Sequence, residues 1–402
     1  MKSYRTNFIA LLIAETLAMI GFGLSSPVIP LFLEEDIGIA DPVKLNLWVG
    51  LIQSSAAITL AIFAPIWGHL ADIYSRRAML LRAMFGGAIV ISLMTFVNSP
   101  WQLLVLKAIQ GCLTGTVAAA TVITASITPA AQVAFALGML QTMIATGNSL
   151  GPLVGGILAD FIGYRAAFFA TGVTLALSGL VVLKGVDRDN PSPARKGETR
   201  KLTLFPDVKP ILASPLLITL MLVTFGVQSA NTVATPMLPL FLKDLARSLT
   251  DEPVYIGSST GIVLGVGAAL AALAAVLVGK FSSRIGYWKT LIFCLCAAAA
   301  ATIPQTFVTN MGQLTFFRAL SSFFIGGTAP VINAIIAITS DREHQGAVYG
   351  INAAVSSTGN ALGPLIGSAA SMLSYRAAFL VSALILAFSA WGTARRRKMG
   401  NS

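Results

Sequence analysis

Charge is what this sequence has least of. Only 11% of its 402 residues are Asp, Glu, Lys or Arg, while 55% are hydrophobic. Soluble domains carry about 25% charged residues, so a water-facing globule of this length is excluded. Cysteine and histidine are scarce as well. Cys112, Cys294 and Cys296 fall in apolar runs and read as small buried hydrophobes, and His69 and His344 sit in separate loops. That excludes a disulfide framework, and no ligand cluster has metal spacing, so no metal and no organic cofactor is expected. No nucleophile is paired with a base, which argues against an enzyme. Segments of about ten alternating residues, the mark of a membrane barrel, are also missing.

What remains is apolar length. A bilayer crossing needs about 20 consecutive apolar residues. Such runs fall at 6–33, 46–70, 78–97, 101–126, 133–159, 166–185, 212–242, 254–279, 287–308, 312–339, 346–370 and 376–394. The expectation is an all-α polytopic membrane protein with twelve transmembrane helices. The first run is longer than the roughly 7–15 apolar residues of a cleaved leader, so it reads as a retained span.

The net charge of +11 would suggest nucleic acid in a soluble chain. In this one it points to loops on the cytoplasmic side, because cytoplasmic loops are enriched in Lys and Arg. With the N-terminus inside, 20 Lys and Arg fall on that side and 5 on the other. Both termini are then cytoplasmic, and a multi-pass protein of the cell (inner) membrane is expected. One long polar connection, "DRDNPSPARKGETRKLTLFPDVKP" at 187–210, falls at mid-chain. It divides the chain into bundles 1–186 and 211–402 and reads as a linker with a basic face toward anionic lipid.

The halves repeat each other. "TGNSLGPLVGG" at 146–156 answers "TGNALGPLIGS" at 358–368, with eight of eleven positions shared. "PVIPLFL" at 27–33 answers "PMLPLFL" at 236–242, and "YRAAFF" at 164–169 answers "YRAAFL" at 375–380. Six spans separate the copies, so the repeats share one orientation. Parallel six-span repeats with a substrate path between them are a transporter plan. In the first copy Gly147, Gly151 and Gly155 share a helix face and allow close packing in lipid. Pro152 lacks an amide hydrogen, frees the carbonyl of Asn148 and bends the span. Pro364 does the same to Asn360.

"GHLADIYSRR" at 68–77 joins spans two and three. Asp72, near Arg76 and Arg77, can pair with them or face a neighbouring helix N-terminus, a contact that rocking of one bundle would break. The second half has Ser283 at the matching place.

These motifs resemble the major facilitator superfamily, and within it the twelve-helix drug:proton antiporters, the multidrug and tetracycline exporters. The superfamily's loop signature, Gly-x-x-x-Asp-x-x-Gly-Arg-Arg/Lys, is met by Gly68, Asp72, Arg76 and Arg77, with Ser75 in place of the second glycine. The antiporter signature, Gly-x-x-x-Gly-Pro-x-x-Gly-Gly, is met by Gly147, Gly151, Pro152, Gly155 and Gly156, and echoed by Gly359, Gly363 and Pro364. In "LKAIQG", Lys107 stands where the fourth-helix signature carries Arg, followed by Gln110 and Gly111. The resemblance covers about residues 6–395. It implies the major facilitator fold, two pseudo-symmetric six-helix bundles, with spans one and four side by side along a central cavity.

Three ionisable residues are left inside spans, Glu15, Lys107 and Arg318, each costing about 2.5–3.5 kcal/mol at a span centre. At 1.5 Å per residue, Glu15 and Lys107 differ in height by roughly 8 Å, a gap two long side chains could nearly close. One reading is a structural ion pair. The other is proton coupling: burial and a nearby cation act oppositely on a carboxyl, so Glu15 beside Lys107 can load and release a proton per cycle. Arg318 is the repeat mate of Lys107, but Thr224 replaces the matching acid, leaving backbone carbonyls, an anionic substrate or a lipid headgroup as its partners. Gln110, Gln141, Gln228, Asn231 and Asn352 are candidates for the cavity lining, or for glue between helices.

The sequence thus predicts a secondary active transporter that exports lipophilic small molecules in exchange for protons by alternating access. Its expected partners are the substrate and the bilayer, with no nucleic acid; the proton is the coupling ion and the chain a monomer. A sugar or metabolite exporter and a lipid flippase are the rivals on the same fold.

Overall fold

The computed structural model describes residues 4–73, 75–129, 132–187, 214–247, 255–340 and 345–400, and the described residues contain helices and no strands. The first half consists of α1 (Tyr4–Leu24), α2 (Pro42–Ile73), α3 (Arg76–Leu93), α4 (Pro100–Leu113), α5 (Thr116–Ile127), α6 (Val133–Ile162) and α7 (Tyr164–Gly185). The second consists of α8 (Pro215–Val233), α9 (Leu238–Arg247), α10 (Ile256–Ile285), α11 (Tyr287–Thr302), α12 (Met311–Gly326), α13 (Thr328–Thr339), α14 (Gln345–Ser371) and α15 (Tyr375–Gly400). Among the described residues, ten stretches are long and apolar enough to cross a membrane. Two more helices, α6 with 30 residues and α14 with 27, carry the Gly-, Ser- and Asn-rich repeat that dilutes their apolar character. A multi-pass membrane protein follows. The expected linker at 187–210 lies, apart from Asp187, outside the described residues.

Local chemistry sets the helix ends. Proline opens α2, α4 and α8, where its missing amide hydrogen leaves no bond unmade. Ser75, Ser214 and Asn310 cap α3, α8 and α12 by accepting from Ala78 N, Leu217 N and Gln313 N. The "PxxPLFL" copies interrupt their spans, because Pro30 and Pro236 break the amide ladder. Short turns follow α1 at Ile29–Leu31 and Phe32–Asp36, and α8 at Thr235–Met237. Spans four and ten are also split, into α4/α5 and α12/α13. At the first split Gly115 has φ +130°, a region that a side chain would strain.

The helix contacts repeat as the sequence does. In the first half α1 packs on α6 and α7, α2 on α4, and α3 on α7. In the second, α8 packs on α14 and α15, α10 on α12, and α11 on α15. The halves meet along two seams, α6 against α10 and α2 against α14, which the pseudo-twofold interchanges. Both chain ends lie at one end of the bundle, as an even number of spans requires. We call the opposite end distal.

Candidate functional site

Between the halves lies a cavity of about 760 Å³. From the second half it is lined by Gln228, Asn231 and Thr235 near α8, by Leu264 and Ala268 on α10, by Arg318 on α12, and by Tyr349, Asn352 and Ser356 on α14. The first half contributes Ser26, Ala145, Asn148 and Pro152. Hydroxyl and amide groups pair across α8 and α14: Thr224 Oγ1 donates to Asn352 Oδ1 at 2.8 Å, and Gln228 Nε2 to Ser356 Oγ at 2.7 Å. A Cβ added at Gly138 of α6 or Gly350 of α14 would meet nothing within 4 Å.

The residues expected in the cavity divide. Arg318, Gln228, Asn231 and Asn352 line it; Gln110 and Gln141 do not. Gln141 is exposed one turn along α6 from the lining Ala145, while Gln110 lies on α4 with a buried Oε1 that has no partner.

Glu15 is 0% exposed, so it does not face lipid, yet it is not in the cavity lining either. It sits inside the first bundle, with the Thr116 hydroxyl beside it at the start of α5. Neither carboxyl oxygen closes a hydrogen bond of good geometry. Lys107 is 6% exposed and makes no ion pair with Glu15. The expected partnership does not form, for a definable reason. Leu103, Lys107 and Gly111 form one buried face of α4, which packs on α2 and α3, while α1 meets α5. Span four touches span one beyond its break, out of reach of Lys107.

The distal end is sealed by contacts between the halves, most of them from residues that sequence reasoning did not select. Asp160, at the distal end of α6, accepts from Gly257 N at 2.9 Å and Ser258 N at 2.6 Å. These are first-turn amides of α10, free for capping and at the positive end of its dipole. Lys243 pairs with Glu34 at 3.0 Å and Glu35 at 2.5 Å. Tyr164 and Arg165 hold this acidic turn from within the first half, donating to Glu35 at 2.7 Å and Asp36 at 3.0 Å. On the other seam Asn46 Nδ2 donates to Ser371 O at 3.1 Å, and Ser368 Oγ to Asn46 O at 2.5 Å. Asp160 lies one helical turn past Gly156, the last glycine of the signature, the one local sign of its role. Its partner lies 97 residues away, beyond any local pattern.

The glycine signature serves the packing. A Cβ on Gly147, Gly151 or Gly155 would strike α1 at Met19, Gly23 and Leu24. Gly359 and Gly363 seat α8 in the same way, at Gln228 and Thr232. Gly156 faces the other way, against Gly257 of α10. Pro152 and Pro364 lie inside α6 and α14, which run on past them as single helices.

Of the loop motif, the side chains of Gly68 and Asp72 lie outside what the structure describes. Arg77 Nη2 donates to Leu183 O at 2.6 Å, and Arg76 opens α3. One correction concerns Arg82, one of the 20 Lys and Arg counted above on the cytoplasmic side. It lies inside α3, because that helix begins at Arg76. Its guanidinium stacks 3.4 Å from the centre of the Trp67 ring, and Trp67 Nε1 donates to Cys112 O at 2.6 Å, beside the break of span four.

Known proteins place this architecture. Residues 11–309 and 257–401 match the model of the Major Facilitator Superfamily. The chain is 34% identical over 389 residues to Multidrug resistance protein MdtG of Proteus mirabilis (strain HI4320), covering 96% of this chain and 95% of that protein. The protein of that name from Salmonella paratyphi B (strain ATCC BAA-1250 / SPB7) is 34% identical over 383 residues, covering 94% and 93%. Among solved structures, the nucleoside transporter NupG superposes with a TM-score of 0.82 at 13% identity, over 96% of this chain and 99% of that one. A bacterial homolog of the human lysosomal transporter Spinster, inward-facing and unoccupied, gives 0.77 at 18% identity, over 98% and 97%. The structural likenesses speak for the fold and the curated relatives for descent: this chain is a transporter of the major facilitator superfamily.

Proposed function

We propose that the chain exports lipophilic small molecules, drugs among them, in exchange for protons. The halves 1–186 and 211–402 rock about the central cavity as two bodies joined by the 187–210 linker, in the cell's inner membrane with both termini in the cytoplasm. A single copy holds the whole path, so a monomer suffices. The relatives named for multidrug resistance support the substrate class. The observation that carries the mechanism is a central cavity whose distal end is bridged by contacts between the halves, beside a bundle whose interior holds the uncompensated Glu15 carboxyl. With the distal end closed, the cycle takes up substrate from the cytoplasmic side.

Glu15 gives the cycle its coupling site. In this conformation it is fully buried, makes no ion pair among the described residues, and has the Thr116 hydroxyl beside it. A conformation that admits water or brings Lys107 closer changes proton affinity at Glu15. By linkage, proton binding then biases the conformational equilibrium by the same factor. No ion pair is needed for that coupling, only a difference in surroundings between the two states.

Proteoliposomes with an imposed pH gradient test it. Glu15→Gln is expected to abolish gradient-driven uphill efflux of a lipophilic dye while leaving dye counterflow intact. Uphill efflux that survives the substitution removes Glu15 as the carrier, and wild-type efflux that ignores the gradient removes proton exchange altogether.

A further inference from the structure

Arg318 makes the cavity chemically one-sided. Among the described residues it is the one charged side chain in the lining, 5% exposed, and no Asp or Glu of theirs lines the cavity with it. The acids whose side chains are described lie elsewhere: Glu15 inside the first bundle, Glu34, Glu35, Asp36, Asp41, Asp160 and Asp244 at the distal end, and Asp187 just past α7, bonded to Asn7. Arginine stays charged under all ordinary conditions, so this charge persists through the cycle.

Its immediate contacts orient the guanidinium without neutralising it. Nη2 donates to Thr235 Oγ1 at 2.6 Å and toward Asn231 O at 3.4 Å. The Thr235 hydroxyl is itself committed, donating to Asn231 O at 2.6 Å, so it presents a lone pair and fixes the fork. Nε and Nη1 have no acceptor among the described residues. Further guanidinium N–H donors held in place, with an uncompensated positive charge, suit a planar or tetrahedral oxyanion. The amides of Asn231 and Asn148 stand in the same lining, and Leu264, Ala268 and Ile332 supply an apolar wall. The repeat mate Lys107 is turned away against α2 and α3, so the cavity keeps a cation from the second half alone.

We propose that Arg318 is a substrate-selecting residue, and that the cavity takes amphiphiles carrying an oxyanion (carboxylate, phosphonate, sulfonate or phosphate) and disfavours lipophilic cations. A cation there meets the guanidinium with no acid in the lining to offset it, which is specificity by repulsion. The proposal rests on the central cavity being the transport site, and it adds the sign of the cargo.

Binding to the purified full-length chain tests it without any proton gradient. The probes are a fluorescent fatty acid, its uncharged methyl ester and a lipophilic cationic dye, in nanodiscs of phosphatidylcholine. The fatty acid is expected to bind best. Arg318→Gln should weaken it by about tenfold to a hundredfold, the range of a charge-assisted hydrogen bond, and leave the ester within about twofold. Arg318→Lys, which keeps the charge but loses the fork, should fall between. Adding phosphatidylglycerol to the discs separates a free amphiphile from a lipid headgroup: a headgroup occupant raises the probe's Kd in wild type and not in Arg318→Gln. The proposal is overturned if the acid and ester lose affinity equally, if neither does, or if the cationic dye binds wild type better than the acid. Because no gradient is used, loss of proton-driven efflux in the vesicles above leaves this result standing, and the reverse holds too.

Discussion

Gly156→Ala is the sharpest probe of the distal seal. The Cβ that it adds would lie 2.0 Å from Gly257 O, where ordinary contact begins near 3.4 Å. The obstruction is backbone on the facing helix, so no rotamer change relieves it. The α6–α10 seam must part by more than an ångström, or the sealed state must bear the overlap. Overpacking of a tight contact costs about 1–3 kcal/mol. With the seam parted the added methyl costs nothing there, so the penalty falls on one state. The equilibrium between sealed and parted distal ends should therefore shift roughly 5- to 150-fold toward the parted form. A cysteine at Ser371 reads this out. The position is 5% exposed at the other seam, and its hydroxyl has no partner to lose. In a chain whose Cys112, Cys294 and Cys296 are replaced by alanine, a membrane-impermeant maleimide applied from the distal side should label Ser371→Cys at least about fivefold faster with Gly156→Ala. Gly138→Ala, on the same helix with nothing within 4 Å, should leave the rate alone. Equal rates in the Gly156 and Gly138 variants would show that the close approach does not hold the seal.

Two further outcomes follow from single contacts. Asp160→Asn removes the charge at the α10 N-terminus, worth about 0.3–2 kcal/mol, so amide exchange over Gly257–Thr260 should quicken; unchanged exchange would deny the cap its role. Trp67→Phe keeps a ring for Arg82 but strips the donor from Cys112 O, costing about 1–3 kcal/mol. It should lower the thermal unfolding midpoint in detergent, where Trp391→Phe, at an exposed ring, should not; equal midpoints for the two variants would refute it.

The spans and the duplication are legible in the sequence because lipid enforces both. A crossing helix must run apolar for about 20 residues and satisfy its own backbone, and the repeated phrases mark equivalent places in the two halves. Helix rotation is not legible. Counting residues fixes how deep Lys107 lies, but not that its face of α4 meets α2. The break at Thr114–Gly115 then carries the chain to α1 one helix later, at Thr116. Amides could be picked out by type, but their angular position about the helix axis decides that Gln228 lines the cavity and Gln110 does not. Arg82 was counted with the cytoplasmic charges although it falls within the 78–97 run, and the helix capped by Ser75 begins six residues before it. The Asp160 cap could not be read at all, because a helix N-terminus takes its partner from wherever tertiary packing puts one.

The two glycine faces of α6 give that helix a mechanical part beyond sealing. Gly147, Gly151 and Gly155 clasp α1 with backbone almost touching backbone, and Gly156, round the shaft, bears on α10. A rod gripped so closely on one side has no slack with which to slip. Any turn or tilt of α6 that lifts it off α10 must haul α1 along, and α1 carries Glu15. Loosening the far door and disturbing the surroundings of the buried acid are then one stroke of the same lever.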